Sequence, residues 1–366
     1  MHVAISVDSL NPHLSGIGRY CWELVNGLSL DPRVKGVTSF IGNRWVTDLD
    51  SLLDGTAAPA AYSKPWKTRL RRWYNHGRFS DGLVHSPNYF LPDWADGGVA
   101  TVHDLSVFRY PETHPAERIQ AFEKNFSSTI KRANLILTDC EWVRREVIEF
   151  TGLPVSRVKA VPLGVSDAFR VRRLDEIRQE LNEMGLQPGT YGLCVSTLEP
   201  RKRIGHLLTA WRELPMYLRL RHPLVLAGGA GWHNEALMRQ IEQGADEGWL
   251  HYLGYVPEDR LPTLYAGARV FAYPSVYEGF GFPPLEAMAC GVPTLVASGT
   301  CLEEVAGQGA VARDPEDIPA MKQTLEQMLT SEEWRSELSA AGLLATSRYR
   351  WSVCIDQTIS AYQSIF

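Results

Sequence analysis

The sequence contains no apolar run that approaches the ~20 residues needed for a transmembrane helix. Its first residues, MHVAISVDSL, lack the basic start and the apolar stretch of a secretory signal. The six cysteines are scattered, and none belongs to a CxxC pair or to a Cys/His cluster with zinc spacing. We therefore expect a cytoplasmic protein whose thiols are reduced and mostly buried.

An excess of positive charge is also missing. The net charge is −5, so no global basic field points to a nucleic-acid partner. The apolar fraction of 45% and the charged fraction of 22% are those of an ordinary globular protein. A chain of 366 residues is long for one hydrophobic core, which predicts two domains.

Short apolar strands alternate with helical patterns along the chain. HVAISVD is followed by a predicted loop, SGIGR, and then by helical apolar spacing from Tyr20 to Leu30. GLVHSP, GVATVHD and NLILTD read as buried strands that end in polar residues. After a break near VKAVPLGVSDAFRV, a second series runs through YGLCVST, PLVLAGG, ARVFAYPS and VPTLVAS. This pattern predicts two doubly wound α/β domains in succession, with ligands at the carboxyl ends of the strands.

The segment FAYPSVYEGFGFPPLEAMACGVP carries the clearest chemistry. Gly279 and Gly281 let the backbone approach a ligand, and the prolines that follow suit the first turn of a helix. A helix start offers unpaired N–H groups and a partial positive charge, which suit a diphosphate. Glu278 and Glu286 flank this start, and a carboxylate can accept from two vicinal sugar hydroxyls. The alternative is that neither glutamate binds a ligand. Glu286 would then be a favourable acid in the first turns of the helix, and Glu278 would be a solvated loop residue.

EGFGFPPLEAMACGVP resembles the E-x7-E signature of retaining glycosyltransferases of family 4, which have the GT-B fold. STLEPRKRIGHLLTAW, LVLAGGAGWHNEAL, SGIGRY and TVHDLSVFRYPETHP resemble further blocks of that family. The resemblance covers nearly the whole chain and is weak from about residue 43 to 82. It implies two Rossmann-like domains facing a cleft, with a C-terminal helix crossing back to the N-terminal domain. We place the acceptor-binding domain at residues 1–166 plus 349–366, and the donor-binding domain at 167–348.

The resemblance also implies roles for individual residues. Glu286 would hold the ribose hydroxyls of a sugar nucleotide, and Glu278 would hold hydroxyls of the transferred sugar. Phe280, Gly281 and Phe282 would present backbone N–H groups to the sugar and phosphate. The predicted donor-binding set also includes Gly16, Gly18, Thr197, Gly229, Tyr255, Val256, Gly279 and Leu285.

Arg201 and Lys202 follow the strand GLCVST and could neutralise a leaving diphosphate, as a metal ion does in other transferases. The alternative is a solvated basic helix start, which the helix dipole disfavours, so we attribute the placement to an anionic ligand. No DxD-like acidic cluster stands out, which favours metal-independent chemistry without a cofactor.

His103 ends the strand GVATV, and the resemblance places it beside the donor sugar, where it could accept from a hydroxyl. The alternative is a packed histidine next to Asp104 acting as a cap. Gly16 and Gly18 suit a loop near the diphosphate, although a simple tight turn explains them as well. Arg19 and Asp104 are predicted to contact the acceptor, and for Arg19 a surface salt bridge is the alternative.

Residues 62–79, YSKPWKTRLRRWYNHGRF, combine six Lys/Arg with five aromatic residues. Such a composition suits an anionic membrane surface or a lipid diphosphate. The alternative is a solvated helix with buried aromatic rings. Peripheral association with the inner face of the membrane therefore stays open.

The family likeness extends to bacterial mannosyltransferases of surface-polysaccharide assembly. It implies transfer of mannose from GDP-mannose to a polyprenyl-diphosphate-linked saccharide, with retention of anomeric configuration. A UDP-hexose donor is the alternative within the same family. A catalytically inactive protein that binds a sugar nucleotide is the alternative of another class.

Overall fold

The computed structural model describes residues 1–12, 14–56, 74–75, 77, 82–113, 116–229, 231 and 234–365. The chain divides into two compact units. Unit 1 comprises Met1–Arg109, Pro115–Gly164 and Trp351–Phe366, and unit 2 comprises Tyr110–His114 and Val165–Arg350. The short excursion at Tyr110–His114 has no counterpart in the predicted boundaries. This segment belongs to unit 2 because the ring of Tyr110 packs against the ring of Tyr277, with their centroids 5.1 Å apart.

Unit 1 is built on a sheet whose described strands follow the order β3-β2-β1-β4-β5-β6-β7. All neighbouring pairs are parallel except β2 and β3, which form an antiparallel hairpin. Gly42, with φ of 57°, allows the two-residue turn of this hairpin. The hairpin is absent from the predicted alternation of parallel strands and helices. The strands are His2–Ser6 (β1), Gly36–Ile41 (β2), Arg44–Val46 (β3), Leu83–Ser86 (β4), Val99–Val102 (β5), Leu135–Thr138 (β6) and Val158–Ala160 (β7).

The longer helices of unit 1 up to Gly164 bury apolar residues, whereas the short helix Asp50–Leu53 has no buried residue. The helices are Gly16–Leu30 (α1), Asp50–Leu53 (α2), Ser106–Arg109 (α3), Ala116–Arg132 (α4) and Glu141–Thr151 (α5), with a 3-10 turn at Val155–Arg157. The 3-10 turn Pro111–Thr113, between α3 and α4 in the chain, belongs to unit 2. Helix α1 begins earlier than predicted, so Gly16 and Gly18 lie in its first turn and not in a loop. The reason is the side chain of Ser15, whose Oγ accepts from the Gly18 amide at 3.3 Å and caps the helix.

Unit 2 contains a sheet of order β10-β9-β8-β11-β12-β13, parallel throughout its described strands. The strands are Gly192–Val195 (β8), Leu224–Ala227 (β9), Leu250–Tyr252 (β10), Val270–Tyr273 (β11), Thr294–Ala297 (β12) and Ala310–Arg313 (β13). The helices are Leu174–Glu183 (α6), Ile204–Arg212 (α7), Met216–Arg221 (α8), Glu235–Asp246 (α9), Leu261–Ala266 (α10), Phe282–Ala289 (α11), Cys301–Ala306 (α12), Ile318–Thr330 (α13) and Glu332–Thr346 (α14). In the middle of this sheet, β8 and β11 are neighbours, so the segments that follow them meet at one edge.

The C-terminal helix, Trp351–Gln363 (α15), belongs to unit 1 although unit 2 precedes it in the chain. It packs on α1, where Gly27 leaves room for the Ile355 side chain. Its Tyr362 hydroxyl lies 2.6 Å from Nδ1 of the fully buried His85 on β4. The C-terminal helix therefore completes the core of the N-terminal unit. None of the helices in the described ranges combines the length and apolar character that membrane crossing requires.

Candidate active site

A cluster of largely buried charges lies at the carboxyl edge of the unit 2 sheet. Arg201 and Lys202 sit on a 3-10 turn, Pro200–Lys202, after β8, and Glu278 lies in the loop after β11. The Lys202 Nζ contacts Glu278 Oε1 and lies 2.9 Å from the Tyr273 hydroxyl. Arg201 Nη1 lies 3.6 Å from Glu278 Oε2. The structure thus brings together three of the residues that were predicted to be catalytic.

The two loops that form the cluster are tied to each other. Arg201 donates from Nη1 to the Tyr277 carbonyl at 2.7 Å and from Nε to Glu199 Oε2 at 3.0 Å. The Val276 amide donates to the Arg201 carbonyl at 3.0 Å. Because backbone and side-chain bonds both cross between the loops, the cationic pair and Glu278 are held in a fixed arrangement.

The charges of this cluster already balance within the chain. Arg201 and Lys202 face two carboxylates, Glu199 and Glu278. An anionic ligand is therefore not needed to explain these cations, because the protein itself supplies counter-charges, and their role toward a diphosphate stays a prediction. Burial raises the pKa of Glu278, but Lys202 and Arg201 outweigh it and hold that pKa at about 2. Burial lowers the pKa of Lys202, against the opposing effect of Glu278.

Helix α11 begins directly after the glycine-rich loop. Gly281 has φ of 99°, and a Cβ there would overlap the Leu302 side chain, so the position requires glycine. Pro283 and Pro284 lack an N–H, so the first turn offers fewer donors to an anion than we expected. Glu286 is 4% exposed, and a glutamate at such depth needs partners from the protein or a ligand.

The aromatic and apolar residues of the same segment are largely buried. Phe280 packs edge-to-face against Phe282 and Tyr349, with ring centroids 5.6 and 5.5 Å away. Leu285 is fully buried, so its side chain belongs to the core and only its backbone could serve a ligand. Gly279 is buried as well.

The remaining predicted donor-binding residues of unit 2 lie after β8, β9 and β10. Thr197 is exposed, and its Oγ1 donates to Glu199 Oε1 at 3.1 Å. The Gly229 carbonyl accepts from the Leu198 amide at 3.1 Å, which joins the loops after β8 and β9. Tyr255 is 56% exposed, whereas Val256 is buried.

A second polar cluster lies at the carboxyl edge of the unit 1 sheet. His103 follows β5 and Asp139 follows β6, and these strands are parallel neighbours. His103 Nδ1 lies 2.7 Å from Asp139 Oδ2, and Nε2 lies 2.8 Å from the Pro87 carbonyl. A carbonyl only accepts, so Nε2 carries a proton, while Nδ1 shares one with the carboxyl group. Both ring nitrogens are thus engaged within the chain, and the predicted acceptance from a sugar hydroxyl stays a prediction.

Burial alone would lower the pKa of His103, but the Asp139 carboxylate and the Pro87 carbonyl raise it above its ordinary value. Tyr89, a buried residue with φ of 57°, packs its ring edge-on 5.9 Å from the imidazole. The Asp104 amide donates to the Tyr89 hydroxyl at 3.2 Å, and Asp104 Oδ1 accepts from the Ser106 amide at 2.8 Å. Asp104 thus fixes the start of α3, as the capping alternative predicted.

The first turn of α1 holds the other predicted residues of unit 1. Gly18 is buried, and a Cβ there would lie 3.0 Å from the Ser9 carbonyl, so close packing explains this glycine. Gly16 is exposed, and Arg19 is half-buried with interactions of its own. A ligand role for these residues stays a prediction.

Residues 182–343 match the family described as glycosyl transferases group 1. The chain is 36% identical to O-antigen chain mannosyltransferase B of Escherichia coli, over 99% of this chain and 100% of that protein. The chain belongs to the group 1 glycosyl transferases. It is also 30% identical to the serotype-specific mannosyltransferase WbdA of Escherichia coli, over 84% of this chain and 40% of that longer protein.

The solved structures that resemble this group 1 glycosyl transferase share its fold. Anabaena HepE in complex with UDP and glucose superposes with a TM-score of 0.76 at 17% identity, over 100% of both chains. Sucrose-phosphate synthase from Thermosynechococcus elongatus gives a TM-score of 0.75 at 17% identity, over 100% of this chain and 99% of that one. The two Rossmann-like units are those of the GT-B fold, as the resemblance implied.

Two predictions for this glycosyl transferase concern other parts of the chain. The basic and aromatic segment at residues 62–79 lies outside the described residues, apart from Tyr74, Asn75 and Gly77. Asn75 is buried and accepts from Trp45 Nε1 at 3.0 Å. Among the described residues, no three His, Cys, Asp or Glu side chains gather in a way that could hold a metal ion.

Asp139, Tyr273 and Glu199 belong to the two clusters but are not among the predicted site residues. Asp139 and Tyr273 end the strands NLILTD and FAY, and the rule that carboxyl ends of neighbouring strands meet could have indicated both. Glu199 lies two residues before Arg201, but nothing in its local pattern indicates the pairing. Gly228, with φ of 136°, lets the chain pass the Ser196 carbonyl, whereas the prediction named its neighbour Gly229.

Proposed function

We propose that the chain transfers mannose from GDP-mannose to a saccharide carried on polyprenyl diphosphate, with retention and without a metal ion. The transfer would serve assembly of a bacterial surface polysaccharide in the cytoplasm. The observation that carries this proposal is the end-to-end similarity to an O-antigen chain mannosyltransferase at 36% identity. A relative that matches over its full length supports shared chemistry more strongly than a shared domain would.

The proposed donor site lies at the carboxyl edge of the unit 2 sheet. Glu286 would accept from the ribose hydroxyls, and its burial would make each such bond strong. Glu278 would accept from hydroxyls of the transferred sugar, because its low pKa keeps it a pure acceptor at neutral pH. In this role both carboxylates accept hydrogen bonds from hydroxyl groups. The two carboxyl groups of a retaining glycosidase instead act as acid and nucleophile.

The proposed chemical step is substitution on one face of the sugar. The bond between the anomeric carbon and the diphosphate oxygen breaks, and its electron pair stays on the phosphate. The acceptor hydroxyl attacks the same face, and its proton passes to the departing phosphate oxygen. Arg201 and Lys202 would stabilise the developing charge by redistributing their interactions from Glu199 and Glu278 toward the diphosphate.

A different role follows for His103. With Nε2 donating to Pro87 and Nδ1 bound to Asp139, the imidazole holds the chain after β4 in place. We propose that His103 shapes the loop beside the sugar and carries partial positive charge, and that it does not act as a base.

The alternatives remain a UDP-hexose donor and a protein that binds a sugar nucleotide without turnover. The first is favoured by the fold likeness to a protein solved with UDP and glucose. The second is disfavoured because Glu278 and Lys202 are present and paired in one buried cluster.

The donor is tested by nucleoside-diphosphate release from GDP-mannose, UDP-glucose, UDP-galactose and UDP-N-acetylglucosamine, with a mannosylated lipid acceptor. We expect turnover with GDP-mannose that persists in EDTA, because the proposed leaving-group stabilisation comes from Arg201 and Lys202. Lys202→Met should abolish release, and Lys322→Met serves as the control, since Lys322 lies on α13 and is not a partner of Glu278 in the cluster. Turnover of a UDP-sugar with GDP-mannose ignored would overturn the donor assignment.

A further inference from the structure

We infer that a cavity in unit 1 is a binding site for a neutral polyol, namely one sugar ring of the acceptor. The cavity has a volume of about 290 Å³, close to the lower end of the range for small-molecule sites. Its identification with the acceptor rests on the proposed function. Its preference for an uncharged, hydroxyl-rich ring rests on the lining residues alone.

The cavity lies at the carboxyl edge of the unit 1 sheet. Its lining includes Ser6 and Asp8 at the end of β1, Asn43 in the turn between β2 and β3, and Phe90 in the loop after β4. Strands β2, β1 and β4 are neighbours in the sheet, so these segments meet at one edge. Helix α4 closes the opposite wall. This edge is where open α/β sheets bind their ligands.

The polar groups of the lining are of the kinds that recognise sugar hydroxyls. Asp8 and Asp93 are exposed carboxylates, and Asn43 and Asn125 offer both donors and acceptors. The Ser6 hydroxyl donates to Asp8 Oδ2 and so fixes the orientation of that carboxylate. Phe90 adds an apolar surface of the type that the C–H face of a sugar ring can cover.

The charge of the lining argues against an anionic ligand. Arg132 is its one cation among the described residues, and its guanidinium is committed to backbone carbonyls. Arg132 donates to the Pro92 carbonyl at 2.9 Å, to the Leu91 carbonyl at 3.1 Å and to the Ala95 carbonyl. Among the described residues of the lining, a phosphate would therefore meet two carboxylates and no available cation.

The cavity is connected to the His103 cluster by aromatic packing within unit 1. The Phe90 ring lies 5.9 Å from the Tyr89 ring, and Tyr89 lies 5.9 Å from the His103 imidazole. A sugar in this cavity would thus lie two side chains from the residue that the family resemblance associates with the donor sugar. That position suits an acceptor ring better than a regulatory ligand at a remote site.

Two adjacent serines on α4 provide a matched test. Ser127 and Ser128 are both exposed, but only Ser128 belongs to the cavity lining. Ser128→Leu should fill the cavity, whereas Ser127→Leu adds the same bulk outside it. Binding of methyl α-mannoside and of α-mannobiose is measured on the full chain by ligand-observed NMR. We expect Kd to rise by about ten-fold or more in Ser128→Leu, equivalent to at least ~1.4 kcal/mol, with no change in Ser127→Leu.

Further arms separate this inference from the proposed function. Inorganic phosphate should not displace the mannoside, and displacement would overturn the neutral-ligand assignment. Equal mannoside binding by wild type, Ser127→Leu and Ser128→Leu would overturn the cavity, as would no binding by the wild type. Asp8→Asn should weaken mannoside binding while circular dichroism shows an intact fold. Because none of these measurements needs a donor, failure of GDP-mannose turnover alone would count against the proposed function and leave the cavity result standing.

Discussion

At the scale of single residues, the charge balance of the unit 2 cluster changes what its cations must do. Arg201 and Lys202 are compensated by Glu199 and Glu278 before any donor arrives. Under the proposed function, a diphosphate would compete with these carboxylates for two cations that are already paired. Glu278 would be released toward the sugar as the phosphate takes over its partners, which couples the grip on the sugar to the charge on the leaving group.

The pairing of Glu278 predicts a defined pH dependence of stability. Its pKa is lowered from 4.5 to about 2, so its contribution is complete above pH 4.5 and is lost as pH falls toward 2. Glu278→Gln leaves Lys202 buried without its counter-ion and should lower the free energy of unfolding of unit 2 by ~3–5 kcal/mol near neutral pH. The difference in the free energy of unfolding between wild type and Glu278→Gln should become smaller as pH falls below about 4.5.

Urea denaturation at a series of pH values measures this difference. Glu213→Gln is the matched control, because Glu213 is an exposed glutamate of the same unit. The control should unfold like the wild type at every pH. If the difference in the free energy of unfolding between wild type and Glu278→Gln stayed constant through the acid range, the pairing of Glu278 with Lys202 would be contradicted.

Residue types could be predicted from sequence better than residue partners could. Glu278, Lys202 and Arg201 could be recognised because they stand in continuous local motifs. The partnership of His103 with Asp139 spans 36 positions, and the Pro87 carbonyl is not visible in any side-chain pattern. The partners of His103 therefore could not be predicted, because they depend on which segments the fold brings to its two ring nitrogens.

At the scale of elements, the strands and most helices could be predicted because their patterns are local. Helix α5 spans Glu141–Thr151 as expected, and Gly152 with φ of 69° ends it. The β2–β3 hairpin was missed because a three-residue edge strand has too few positions to show a period. The start of α1 was misjudged because two glycines suggested a loop, while the Ser15 cap determined the boundary.

The junction between the glycine-rich loop and α11 is the element on which the proposed donor site depends. Gly281→Ala would force a side chain into φ of 99° and against Leu302. We expect a loss of ~1–3 kcal/mol in the free energy of unfolding, together with weaker donor binding. Gly229→Ala is the control for stability, because no atom lies within 4 Å of a Cβ there. Equal urea midpoints for the two variants would contradict the backbone strain predicted for Gly281→Ala.

At the scale of the whole molecule, the chain order and the folding units do not coincide. Residues 165–350 form unit 2, and the chain then returns to unit 1 for its last helix. The aromatic stripe of that helix could be predicted from the sequence, but periodicity alone fits a core helix of either domain. Only the family resemblance indicated the right one, because the contacts of Ile355 and Tyr362 lie more than 250 positions away in the chain.

Removal of α15 should therefore destabilise unit 1, to which the helix belongs, and leave unit 2, which precedes it in the chain, folded. Truncation after Arg350 deletes the Tyr362 bond to His85, the Ile355 contact with Gly27 and the ion pair between Asp356 and Arg33. Hydrogen–deuterium exchange should show lost protection in β1 and β4, with β8 and β11 still protected, because local stability follows local packing. Truncation after Gln363 is the control, since it retains α15 and removes only the last residues. Equal loss of protection in both units would show that α15 stabilises the whole chain and does not act through unit 1.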